Sequence, residues 1–385
     1  MAPLGANVYL VTTPAGNVVI DSGTVAEAPI ARKLLGAVSS GTVKYIVLTH
    51  GHADHIGGIG LWKQDGTRIV AQRNYVELLN YVKRLEGFFA PRNAAAFNRD
   101  PEPAHPWAGN FGATIEPTIL FDEKYAFTLG GLHFELQSTP GETPDHLTVW
   151  IPAYKIAFIG DNYNGFGESE PISFPNLYAL RGTKPRWALD WIASIDKVLA
   201  LKPEVVLSGH GLPIYGNAEI TRRLTRLRDT IQYVHDETVK GMNAGKDVFT
   251  LMREIRMPPG SDLSEAFGRI SWSVRGIYEG YAGWFDMNPS TMYEKPASSI
   301  YPDLVKLAGG PKLVVQLALD KVKAGMPVEA LHLTDVVLAG DPGNREALNM
   351  RLQALEYLHD HSVNYIETGF LEHAMSQVKD AIDAH

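Results

Sequence analysis

The apolar pattern of the first half of the chain changes period repeatedly, as expected for layered strands and helices. Residues Asn7 to Asp21 (NVYLVTTPAGNVVID) hold two β-branched-rich runs around a Pro-Ala-Gly-Asn turn, which predicts a hairpin. Val25 to Val38 has helical spacing. Val43 to Thr49 (VKYIVLT) is a short apolar run of the kind expected for a strand buried on both faces, and it ends in His50. From Asn74 to about Gly112 the sequence reads as a loop-rich, Pro-interrupted insertion carrying Tyr81, Phe88, Phe89, Phe97, Trp107 and Phe111. It is expected to be a lid or substrate wall, or a loop packing its own small core. Strand patterns return at Tyr125–Leu129, Leu132–Ser138, Leu147–Ile151 and Ile156–Gly160. A helix over Trp187–Leu201 and a strand over Val205–Ser208 follow.

After about Asn217 strand signals vanish. Ile220–Val239, Val248–Arg256, Pro302–Ala324, Val328–Leu338 and Arg345–Leu358 all read as helices joined by Gly- and Pro-containing turns, resembling an antiparallel helical module. The expected organisation is an α/β catalytic domain over residues 1–243 and an all-α domain over residues 244–385.

Composition narrows the function classes. Lys+Arg number 35 against 43 Asp+Glu, a net charge of −8, which argues against a nucleic-acid-coating protein because that needs basic stripes. No apolar run approaches the length of a membrane span. With 0 cysteines, thiol nucleophiles and Cys-ligated metals are excluded, so any metal is held by His and carboxylates. The compartment stays open between cytoplasmic and periplasmic or secreted, since a removed signal leaves no trace.

The chemistry concentrates in Thr49-His50-Gly51-His52-Ala53-Asp54-His55-Ile56-Gly57-Gly58. Given 13 His in 385 residues, this spacing arises by chance on the order of once per thousand such chains. His50 and His52 can aim both imidazoles at one ion, and Asp54 and His55 can reach a second. Imidazole and carboxylate suit Zn²⁺, with Fe²⁺ or Mn²⁺ as alternatives. Gly57 and Gly58 allow close backbone approach behind the cluster. Four ligands cannot complete two sites. Asp161 and His210 are expected at the tips of strands, and the loop Pro140 to His146 offers Glu142, Asp145 or His146.

These residues together resemble the metallo-β-lactamase superfamily: the H-x-H-x-D-H motif after an apolar strand, a Pro-Gly-x-Thr loop, a strand-end Asp and a strand-end His. The resemblance covers roughly residues 5–217 and implies an αβ/βα sandwich with a binuclear metal site. It implies that His50, His52 and Glu142 hold one ion, that Asp54, His55 and His210 hold the other, and that Asp161 bridges. Most members have His where Glu142 stands. The alkylsulfatase branch uses a carboxylate there, although it bridges with Glu where this chain has Asp161. The segment Asn176-Leu177-Tyr178-Ala179-Leu180-Arg181-Gly182 is similar to that branch's sulfate-binding segment, which implies substrate contacts from Asn176 and Arg181. Ser273 to Pro289 and the helices beyond resemble its dimerisation domain, implying a homodimer through the C-terminal helices.

The expectation is therefore a binuclear zinc hydrolase in which Asp54 and Asp161 serve catalysis, cleaving a small anionic sulfate ester with metal-activated water. A lactonase, β-lactamase or phosphoester hydrolase of the same fold is the alternative, and a metal-free scaffold stands as a reading from another class. His146 is expected beside the ligands as a supporting or proton-carrying group, or as the reserve ligand to Glu142.

Overall fold

A computed structural model of the chain describes residues 1–2, 5–97, 116–164 and 172–384. The order of elements is β1 (Tyr9–Thr13), β2 (Gly16–Ile20), α1 (Ala28–Gly36), β3 (Val43–Val47), α2 (Ala53–Ile56), α3 (Ile59–Trp62), β4 (Arg68–Gln72), α4 (Asn74–Arg84), α5 (Glu86–Ala96) and β5 (Ile119–Phe121). Then come β6 (Lys124–Leu129), β7 (Leu132–Ser138), β8 (Leu147–Ile151), β9 (Ile156–Asn164), α6 (Ala188–Ala200), β10 (Val205–His210), β11 (Ile214–Tyr215) and α7 (Asn217–Asn243). Helices α8 (Val248–Glu254), α9 (Ile270–Ala282), α10 (Tyr301–Leu307), α11 (Pro311–Lys323), α12 (Pro327–Leu338), α13 (Arg345–Asp360) and α14 (Tyr365–Ala384) complete the chain.

Two sheets carry the first half. One runs β1-β2-β3-β4-β5, with an antiparallel hairpin leading into parallel strands. The other runs β11-β10-β9-β8-β7-β6, antiparallel except for the β9–β10 pair. Side-chain alternation divides the core into three layers. Val18, Ile20, Tyr45 and Val47 from the first sheet meet Phe134, Leu136, Val149 and Phe158 from the second in one buried cluster. Val19, Ile46 and Ile69 face the opposite way, onto Ala31, Leu35 and Trp62 of α1 and α3. Ala157, Ile159 and Val206 face Trp191, Ile195, Leu227 and Ile231 of α6 and α7. Helix, sheet, sheet, helix is the αβ/βα sandwich expected from the resemblance.

Three segments differ from the expected pattern. Part of the presumed loop after Asn74 is helical, because Tyr75 and Leu78 stand three apart and bury one face of α4, and α5 continues through Pro91. Trp107 and Phe111 lie outside the described residues. The helix expected over Pro302–Ala324 is broken between α10 and α11, where Gly309 and Gly310 adopt φ of +77° and +123°. Strand β9 runs past Gly160 to Asn164, so Asp161 lies within the strand rather than at its tip.

The chain forms two compact units. The first takes Met1–Ala90 and the described residues onward to Tyr281; the second takes the residues from Pro91 on α5 together with Ala282–Ala384. The sequence places a domain boundary at 243/244, and Leu251 of α8 and Val274 and Ile277 of α9 share the core of the first unit. The second unit is helical among its described residues, with small cores around Val315 and Val337, Ala318 and Ala330, and Leu348 and Val378. Among the described residues, no helix is long and apolar enough to cross a membrane.

Candidate metal centre

Strand β3 delivers Thr49 and His50 to the edge of the first sheet, and the chain then turns through Gly51 and His52 into α2, which carries Asp54 and His55. Asp21, just past β2, organises this turn. Its Oδ1 accepts from the Thr49 backbone N–H over 2.8 Å, and its Oδ2 accepts from both the Thr49 hydroxyl and His55 Nδ1, each over 2.8 Å. Because the Thr49 hydrogen goes to Asp21, Thr49 Oγ1 accepts from His50 Nδ1 at 3.1 Å. One carboxylate thus sets the tautomer of two imidazoles, directly for His55 and through Thr49 for His50, leaving both Nε2 atoms turned inward. Gly58 packs so closely on the Ser22 carbonyl that any side chain there would collide with it.

The second sheet supplies the opposite wall. Gly160 stands at φ +47° where the β9–β10 register shifts, and this irregularity re-aims Asp161 toward the imidazoles. A Cβ at Gly160 would run into His146 Nε2. His210 ends β10, and its Nδ1 donates to the Gly5 carbonyl, which turns Nε2 inward as well.

Six side chains form two groups. In the first, His50 Nε2 lies 3.0 Å from His52 Nδ1 and 3.8 Å from Asp161 Oδ2. In the second, Asp54 Oδ2 lies 3.4 Å from His55 Nε2 and 3.3 Å from His210 Nε2. Asp161 faces both groups, with Oδ1 at 3.4 Å from His55 Nε2 and Oδ2 at 3.2 Å from His210 Nε2. Within His50–His52–Asp161 and within Asp54–His55–His210, the donor atoms all fall within 4.8 Å of one another, close enough to share an ion. His55 Nε2 and Asp161 Oδ1 are buried without a hydrogen-bond partner. Buried polar atoms are seldom left so, and here both point into the same space. An all-nitrogen-and-oxygen donor set fits Zn²⁺, and equally Fe²⁺ or Mn²⁺.

Charge follows the same division. Burial, then the neighbouring His55, holds His50 well below the ordinary imidazole range, and burial together with Arg181 and Arg186 does the same for His52. For His55, burial is outweighed by Asp161, Asp54 and Asp21, so it is raised well above 6.5; His210 is raised likewise, against burial, by Asp161 and Asp54. Asp54 and Asp161 are held well below 3.8 because these imidazoles outweigh their burial. Two imidazoles, His55 and His210, therefore hold protons between two ionised carboxylates, Asp54 and Asp161, where a cation would serve.

The remaining expected residues take varied places. Glu142 comes within 3.7 Å of His52 Nδ1 but is gripped by Arg186, and it stands outside both three-residue groups. Burial raises its carboxyl to about 7. Arg181 is close enough to lower His52 and to feel Glu142 and Asp54. Asn176 is buried, with Oδ1 unpartnered. His146 points away from the ion space. Its Nε2 accepts the Asp161 backbone N–H over 3.1 Å, so Nδ1 carries the hydrogen and donates to Thr139 Oγ1 over 3.1 Å. Asp145 is buried beside Gly51 with both oxygens unpartnered, and burial raises it to about 6. Sequence reasoning missed Asp21 and Arg186. Asp21 carries the same signal as Asp161, an acid at the end of an apolar run. Arg186, in Lys184-Pro185-Arg186, has no signal in the sequence.

The family described as Metallo-beta-lactamase superfamily matches residues 1–210, and the family described as Alkyl sulfatase dimerisation matches residues 251–380. A linear primary-alkylsulfatase of Pseudomonas sp. (strain ATCC 19151) is 29% identical over 383 residues, covering 92% of this chain and 70% of that protein. Alkyl/aryl-sulfatase BDS1 of Saccharomyces cerevisiae is 26% identical, covering 82% of this chain and 52% of that protein. The solved structure of the stereoselective inverting sec-alkylsulfatase Pisa1 from Pseudomonas sp. superposes with a TM-score of 0.86 at 22% identity, over 98% of this chain and 63% of that one. The chain thus spans about half of the yeast protein and under two thirds of the Pisa1 chain, and the latter likeness is one of fold.

Proposed function

The chain belongs to the metallo-beta-lactamase superfamily, and from that premise we propose that it is a binuclear, zinc-dependent hydrolase of alkyl sulfate esters. The observation that carries the reading is the meeting of two three-residue donor groups at Asp161, where His55 Nε2 and Asp161 Oδ1 face each other over 3.4 Å, buried and without a formed hydrogen bond. In this reading His50, His52 and Asp161 hold one ion, and Asp54, His55, His210 and Asp161 hold the other. Divalent ions bound there supply Lewis acidity and activate water at neutral pH.

The chain's own residues do the rest. Asp21 and Thr49 fix the imidazole orientations, and the Gly5 carbonyl fixes that of His210. Arg181 offers a planar, two-pronged donor that matches two oxygens of a sulfate group, and Asn176 adds a neutral contact from a buried amide. Support for sulfate over other esters comes from the named alkylsulfatase relatives and from the field of Arg181 at His52 and Asp54. The helical residues matching the dimerisation family support a homodimer. Trp284, Met287, Tyr293 and Leu307 are apolar and 65–84% exposed in that unit, and they are its proposed contact.

The test is a hydrolysis panel of alkyl sulfates, aryl sulfates, phosphodiesters, lactones and a β-lactam, each with and without chelator. Alkyl sulfates are expected to be turned over, and chelator to abolish it. Arg181→Ala is expected to raise KM for sulfate esters far more than for neutral esters or lactones. Equal effects on both classes would remove Arg181 from the anion pocket, and a preference for lactones or phosphodiesters would transfer the reading to those substrates.

A further inference from the structure

Residues 172–182 carry Asn176 and Arg181, the two proposed contacts to the sulfate group, yet they form neither helix nor strand. Ile172, Ser173, Phe174, Asn176, Leu177 and Ala179 are buried all the same. A buried irregular stretch must find partners for its backbone groups elsewhere. Here they lie in the chain that leads into α9. The Phe174 N–H donates to the Ser264 carbonyl over 2.8 Å, the Ser264 N–H to the Ile172 carbonyl over 2.9 Å, and the Gly268 N–H to the Phe174 carbonyl over 3.0 Å. The Ser173 and Ser264 hydroxyls meet over 3.1 Å. Gly268 packs so closely on the Pro175 carbonyl that a side chain there would strike it.

Helix α9 continues this support. Gly276 lies inside the helix, where Ala would be the better helix former. Its reason is proximity: a Cβ there would stand 3.1 Å from Cβ and Cδ2 of Tyr178 and 3.4 Å from the Leu177 carbonyl oxygen. One turn on, a Cβ at Gly280 would stand 3.0 Å from the Trp187 ring. Trp187 follows Arg186, whose Nη1 donates to the Asn176 carbonyl over 2.9 Å. Val274 and Ile277 of the same helix share a core with Phe174 and Leu177. These supporting residues fall within the stretch that matches the dimerisation family, residues 251–380, yet they belong to the first compact unit together with Asn176 and Arg181. We propose that residues 264–280 form the backing that holds the Asn176–Arg181 segment in place for an anionic ester, with Gly276 a positioning residue for substrate binding rather than for association. This rests on the sulfate reading of Asn176 and Arg181 given above and adds the helix behind them.

Gly276→Ala in the full chain tests it, because the added methyl favours the helix while pressing on Tyr178. With octyl sulfate as substrate, KM should rise by about tenfold, since small misplacements of a binding group are costly. The value of kcat should stay within about twofold of the wild type. Calorimetric titration with Zn²⁺ and sedimentation should both match the wild type, which separates this role from the metal centre and from association. In a Tyr178→Ala background the same Gly276→Ala change should cost clearly less in KM, because the two sites act through one contact. Gly280→Ala presses on Trp187 at the other end of the segment, so it should raise KM in the same direction by a smaller factor and gives the answer if Gly276→Ala fails to fold. Wild-type KM in both glycine variants would overturn the inference. So would a rise in KM that comes with weakened Zn²⁺ binding or loss of association. A wild-type chain that turns over no sulfate ester would overturn the sulfate reading, and the inference with it.

Discussion

Asp21 contributes more to the geometry of the centre than its absence from the expected ligand set suggests. Its carboxylate accepts from His55, from the Thr49 hydroxyl and from the Thr49 backbone, so its loss frees two imidazoles at once. Asp21→Asn keeps the shape but halves the accepting capacity, and it is expected to weaken Zn²⁺ binding by about 10–100-fold with the fold intact. Calorimetry beside circular dichroism would show this, and unchanged affinity would speak against the orienting role. Protons act at the same residues. His55 and His210 are raised above 6.5 in the ion-free protein, so Zn²⁺ must displace their protons, and its affinity should fall as pH is lowered. His146 acts on the fold. Burial lowers it to about 4 against 6.5, so the unfolded chain takes the proton first and the folded state loses stability as pH falls through that window, by a few kcal/mol. Asp145, raised from 3.8 to about 6, has the opposite sign, its contribution being lost as pH rises. Comparing wild type with His146→Gln isolates the first effect: the difference in unfolding free energy should shift against the wild type between pH 6.5 and 4, whereas a flat difference would contradict it. The contiguous H-x-H-x-D-H residues were legible because one turn holds them together. Arg186 was not, because its burial against Glu142 depends on contacts made 44 residues apart.

At the scale of elements, short apolar runs were readable as strands because burial on both faces leaves little choice of residue, as in β3 and β8. Their ends were less so. Strand β9 extends through Asp161 because Gly160 absorbs the register shift at φ +47°, a device that a lone glycine does not announce. Gly160→Ala meets both a left-handed backbone and His146 Nε2, and it should destabilise the chain by about 1–3 kcal/mol. Thermal unfolding measures this, and an unchanged Tm would argue against the close approach. Among its described residues, the region after Asn74 departs from the expected loop for a different reason: its prolines suggest loop, yet α5 carries Pro91 internally and α4 precedes it with one buried face. The glycine pair at 309 and 310 had the reverse effect, dividing an apparently continuous helix.

For the whole molecule, fold class followed from the order of elements, since strand–helix alternation and then helices alone admit few architectures. The proposed association rests on the helices that match the dimerisation family. The full chain should sediment as a dimer, and Trp284→Ser combined with Leu307→Glu should shift it toward monomer; a monomeric wild type would rule out that interface. Two ions held by these imidazoles and carboxylates would be required for the proposed hydrolysis. Elemental analysis of the Zn²⁺-equilibrated chain, paired with alkyl sulfate turnover before and after ion removal, tests it most directly. Two ions per chain, with turnover lost on stripping and restored on return of Zn²⁺, is the predicted result; full turnover in protein free of metal would contradict it.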